Sequence, residues 1–72
     1  MDYNKMTYRR QRLFELLCSG RNSVADICRK TGYSDPRGHI RALRNAGVKI
    51  LDEWRKTADG VRYKVYWIAS YE

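Results

Sequence analysis

In PRGHIRALRN, residues 36–45, three arginines, a histidine and an asparagine crowd around a glycine and an alanine. Guanidinium and carboxamide groups form forked hydrogen bonds that fit the edges of guanine and adenine, and guanidinium also grips phosphate. On a helix that buries Ile40 and turns about 100° per residue, Leu43 and Gly47 flank the apolar face. Gly38, Arg41, Ala42 and Asn45 then point away from it, and Arg37 and Arg44 lie on one shoulder. Short side chains bordered by arginines allow a helix to sink into a major groove about 12 Å wide. The pattern nominates Arg37, Gly38, Arg41, Ala42 and Asn45 for base contact, and His39 and Arg44 for the phosphate backbone. A solvated helix surface is the plainer alternative. Against it, an exposed Gly in so short a helix costs about 0.8–1 kcal/mol relative to Ala with no structural return.

A second group of cations brackets the segment KTADG, with Arg55 and Lys56 before it and Arg62 and Lys64 after it. On a hairpin these track a phosphate backbone or keep an edge strand from pairing. Tyr33 and Ser34, just ahead of PRGHIRALRN, join them as candidate backbone contacts, with Tyr8, Arg9 and Arg10 of lower rank. Trp54, Tyr63, Tyr66 and Trp67 fit a core or lid better than a base-stacking surface. Exposed together, they would mark a protein interface.

Fifteen Lys and Arg, ten of them Arg, face eight Asp and Glu, for a formal charge of +7 on 72 residues. The excess runs through the periodic part of the chain, which suits a polyanionic partner. A catalytic reading finds no material: no paired carboxylates, no nucleophile beside a base, no Gly-rich phosphate loop. Cys18 and Cys28, ten apart with one distant His, match no zinc pattern and are expected as buried, reduced small hydrophobes. No cofactor, metal or small-molecule ligand is expected, and no aromatic platform of the usual RNA modules is visible. No apolar run approaches a membrane span, and MDYNKMTYRR lacks the apolar core of a signal peptide, so a cytoplasmic protein is expected.

The elements that must hold these groups are readable from caps and periodicity. Thr7 caps a helix over about 8–18, with Leu13, Leu16 and Leu17 on one face, Phe14 and Cys18 widening it, and Gly20 as its stop. Ser23 and Asp26 begin a second helix over about 24–31, with Val24, Ile27 and Cys28 inward and Gly32 as its exit. GYSD leaves room only for a sharp turn before Asp35 caps, and Pro36 starts, a third helix that runs to about Ala46 and ends at Gly47. Pro36 would leave the free N–H groups of that first turn for a phosphate. Strands are expected near 48–55 and 62–68 around the Asp59-Gly60 turn, with Ile50 inward and, on the return strand, either Tyr66 and Ile68 or Val65 and Trp67, the first pair being favoured.

This order, with RQRLFELL, SVADICRKTGYSDPRGHIRALRNAGVKI and a basic hairpin closing on VYWI, resembles the winged helix-turn-helix domains. Among them it is similar to the small helix-turn-helix proteins of bacteriophages and prophages. The likeness spans about residues 8–68 and is most specific in HIRALRNAGVKI. It implies an α+β fold, three helices followed by a C-terminal two-stranded antiparallel hairpin as the wing, in a single domain. It also implies double-stranded DNA as partner, with a homodimer or partner protein on the DNA, in a small regulator or a recombination or replication accessory factor. One departure is Gly38, where the tight form of the turn would place a core aliphatic. The turn is therefore of the looser winged-helix kind, and base contacts cannot be transferred by counting. Winged helices also serve as docking modules, and for this chain that alternative would use the hairpin aromatics.

Overall fold

The first helix, α1 (Tyr8–Ser19), starts where Thr7 accepts a hydrogen bond from the Arg10 N–H, 3.3 Å away. The computed structural model describes residues 7–69, so most of the MDYNKMTYRR stretch lies outside the described residues. Leu13, Phe14 and Leu17 form the buried stripe of α1. Cys18, expected in that stripe, is exposed, and Cys28 is half-buried; both are free thiols. The reason is angular, since Cys18 stands about a quarter turn beyond the centre of the face that Leu13, Phe14 and Leu17 define. Partial desolvation, and then the Glu15 carboxylate, raise the Cys18 thiol above its ordinary pKa.

The next two elements share a junction. Asn22–Ser23 is a short strand, β1, and Val24–Thr31 is the second helix, α2. Ser23 is the N-cap, and its backbone is extended (φ −78°, ψ 169°), which lets the same residue pair as a strand. Asn22 pairs with Tyr66 and Ser23 with Val65. The expected two-stranded hairpin is therefore a three-stranded antiparallel sheet of order β1-β3-β2, in which β2 (Leu51–Lys56) and β3 (Arg62–Trp67) form the hairpin.

The capping box at this junction is complete: Asp26 N–H donates to Ser23 Oγ and Ser23 N–H to Asp26 Oδ2, both at 3.1 Å. Such a cap contributes about 1 kcal/mol. The Ser23 N–H, foremost among its contacts, holds the Asp26 carboxyl below the usual carboxylate range. A group with a depressed folded-state pKa stabilises the fold above its unfolded value, and that stabilisation is lost as pH falls through the folded value. Asp26→Asn is therefore expected to lower the unfolding midpoint at neutral pH, and the gap to the parent should close below about pH 4. Thermal unfolding of both proteins across pH checks this, and a gap that persists in acid contradicts it.

The third helix, α3, spans Pro36–Asn45, with Pro36, Ile40 and Leu43 buried. Asp35 occupies the N-cap position but makes no side-chain cap bond; its backbone (ψ 74°) differs from that of the working caps Thr7 and Ser23. Its Oδ2 instead lies 3.2 Å from where a Cβ on Gly38 would be. The far end of α3 closes with Val48 N–H on Leu43 O and Gly47 N–H on Arg44 O, both at 3.0 Å. This is the paired closure that needs a left-handed residue, which Gly47 supplies at φ +100°.

Val48 and Ile50, expected within the first strand, precede it. They are buried in the cluster with Leu13, Leu17, Ile27, Leu43 and Ile68, and pairing begins only at Leu51. The chain there is closing α3 and filling the core, so it reaches the sheet three residues late. Tyr66 packs against the cluster and Ile68 is buried in it, as expected from the alternation. Ile68 N–H also reaches Leu17 O at 3.0 Å, which ties the strand end to α1. Val65 is buried too, in the middle strand between β1 and β2. No helix among the described residues is long and apolar enough to cross a membrane.

Candidate nucleic-acid interface

Burial of Ile40 and Leu43 sets the orientation of α3. Arg37, Gly38, Arg41 and Asn45 are all exposed, while Ala42, also expected to point away, is half-buried. Arg37 and Arg41 line a depression with Ile40, Arg44, Asn45 and Tyr66, so the arginine shoulder of the helix faces the sheet. Arg37 also borders a larger groove of about 630 Å³, whose other walls include the first turn of α2 and Trp54, Arg62, Lys64 and Tyr66 of the hairpin. Thus the start of α3 and two hairpin cations open onto one space.

The opposite shoulder of α3 carries His39, whose ring centroid is 5.5 Å from that of Tyr33, and Arg9 of α1 lies 5.9 Å from the Tyr33 ring centre. With Gly32, Ser34 and Asp35 they line a smaller pocket. The Tyr33 hydroxyl oxygen is buried and finds no partner among the described residues. The turn residues nominated for backbone contact therefore gather at one flank of α3 and the hairpin at the other. Asp35, over Gly38, sets a carboxylate at the helix start, so a phosphate docking on that first turn would have to displace it.

Arg44 is committed within the fold. Its guanidinium donates to Ile50 O at 2.8 Å and to Asp52 Oδ2 at 2.9 Å, and Asp52 also stands 3.8 Å from Lys64. This chain of charges anchors the end of α3 to both long strands. Asp52 was not singled out by the sequence, because its partners are set by strand register and no local pattern reveals them.

The hairpin cations divide into two sets. Lys56 pairs across the hairpin with Arg62, and Trp54 with Lys64, on the face that Tyr66 shares with the core. Arg55 pairs with Tyr63 on the other face, where it is bound to Glu53 at 3.1 Å. Trp54 and Tyr63 are both exposed but point to opposite sides, and Arg21 covers the Trp67 ring at 4.2 Å. Among the described residues, Arg37, Arg41, Lys56 and Arg62 take part in no ion pair. Comparison with protein-family models, with curated proteins and with solved structures finds no match for this chain.

Proposed function

We propose that the protein is a winged helix-turn-helix module that binds double-stranded DNA, with α3 in the major groove and the hairpin along the phosphate backbone. The observation that carries this reading is the exposed ridge of Gly38, Arg41 and Asn45 on α3, flanked by Arg37 and the wing cations on one side and by Arg9, Ser34 and His39 on the other. Base edges are served by Arg41 and Asn45, with Arg37 beside them. Phosphates are served by Lys56, Arg62 and Lys64 of the wing and by the cluster at the turn. Arg44 acts mainly through the fold, by holding α3 at a set distance from the wing through Asp52.

A small regulator, or an accessory factor in recombination or replication, suits this size. One copy covers few base pairs, so pairing on DNA with a second copy or another protein supplies the remaining selectivity. Docking through the hairpin aromatics is less well supported, because Tyr66 and Trp67 are half-buried and leave Trp54 and Tyr63 as the exposed rings of the described hairpin.

The expected result of a salt titration is a steep, linear fall of log K with log salt, by about 0.9 per phosphate neutralised. With four to seven contacts, on the order of the cations named, the total slope is roughly 4–6. Fluorescence anisotropy with a random-sequence duplex measures it. Affinity unaffected by salt, or no binding at low salt, removes DNA as the partner and favours docking.

A further inference from the structure

Trp54 is 56 % exposed and stands outside the hydrophobic cluster, so the core gains little from it. It lines the groove that also holds Arg37, Arg62 and Lys64. Two of those cations attend its ring: Arg62 Cζ lies 4.9 Å and Lys64 Nζ 5.0 Å from the ring centre. Such contacts draw cations to the face of an exposed indole. The one carboxylate on the groove wall, Asp26, is engaged by the Ser23 N–H and by Arg29.

An intact duplex offers base edges and phosphates, and neither needs an indole. An unpaired base offers its face. Single-stranded DNA is bound where an aromatic plane takes the base and neighbouring cations take its phosphates, and this groove contains that combination. Trp67 is half-buried and does not line the groove, so Trp54 is the indole that the groove offers, and a base stacking on it displaces Arg62 or Lys64 from the ring.

We propose that Trp54 is a stacking site for one unpaired nucleobase and that the protein prefers the junction between duplex and single strand. This rests on the DNA reading above. In it, α3 occupies the duplex, the first unpaired base stacks on Trp54, and the phosphates beside that base meet Arg62 and Arg37.

The test uses the full chain and three labelled probes: a blunt duplex, the same duplex with a short unpaired thymine tail, and the thymine oligonucleotide alone. The parent is expected to bind the tailed duplex about tenfold more tightly than the blunt one. Trp54→Ala should bring that ratio to about one, Trp54→Phe should keep most of it, and Trp67→Ala should leave it unchanged. Equal affinity of the parent for blunt and tailed duplexes, or a ratio that survives Trp54→Ala, overturns the stacking site and leaves the duplex reading standing. Binding of the thymine oligonucleotide through Trp54 with no binding of the blunt duplex does the reverse, and binding of none overturns both. Should Trp54→Ala fail to fold, Trp54 fluorescence in a Trp67→Phe background gives the same answer. Stronger quenching by the tailed than by the blunt duplex is expected, and equal quenching overturns the site.

Discussion

Gly38→Leu is expected to abolish tight duplex binding while leaving the protein folded. Gly38 is exposed on the outward ridge of α3, where a Cβ would meet only the Asp35 carboxylate, with Oδ2 at 3.2 Å. That carboxylate is the free end of a side chain and makes no cap bond, so it can move aside. Removing Gly from a helix gains up to about 1 kcal/mol, and thermal stability should hold or rise. Four added carbons on the ridge would hold the helix off the groove floor and separate Arg41 and Asn45 from the bases. If each forms a forked contact, the combined loss is about 2–6 kcal/mol, on the order of thirtyfold or more in affinity. Gly38→Ala is the companion variant, adding one methyl and retaining most of the binding. Anisotropy on a site selected from a random duplex pool, beside thermal unfolding of each variant, measures both effects. Full affinity in folded Gly38→Leu would mean that α3 does not enter a groove by this face.

Arg41→Ala should separate base recognition from charge. Arg41 lies on the exposed ridge, lines the depression beside Tyr66 and takes part in no ion pair among the described residues. Its loss is expected to cost about 1–3 kcal/mol on the preferred site, about 5- to 150-fold, and to relax preference at one or two base pairs. Lys56→Ala should instead weaken all duplexes about equally and reduce the salt slope by roughly one, because a phosphate carries no sequence information. Arg55→Ala should do less than either, since Arg55 faces the other side of the hairpin and is bound to Glu53. The measurement is affinity on the selected site and on a scrambled duplex at two salt concentrations. If Arg41→Ala loses the same factor on both, α3 is only a phosphate clamp, and selectivity belongs to the wing or to a partner.

Locally encoded features were legible in the residues. Thr7 and Ser23 cap as their types require, Gly47 closes α3, and the apolar spacing placed Ile27, Ile40 and Leu43 inside. The outward ridge of α3 followed from the same period, since burying Ile40 and Leu43 turns Gly38, Arg41 and Asn45 to solvent. Each of these rests on partners within about one or two helical turns, and such contacts leave a fixed interval in the sequence.

Tertiary structure alone decided the rest. The pairing of Asn22 and Ser23 with β3 joins segments far apart in the chain, and two residues are too few to show a strand period. Asp35 has the residue type of a cap, but its backbone turned the carboxylate over Gly38. Cys18 sits among apolar residues, yet its angle around α1 leaves it exposed. Arg55 and Lys56 are adjacent in sequence and part to opposite faces once the register is set, leaving one in an ion pair and the other on the groove side. The same register takes Arg44 to Asp52 and brings two cations to the Trp54 ring. Helical neighbours are chosen by intervals of three and four along the chain, whereas strand neighbours are chosen by register, which only the packed core and the closed turns fix.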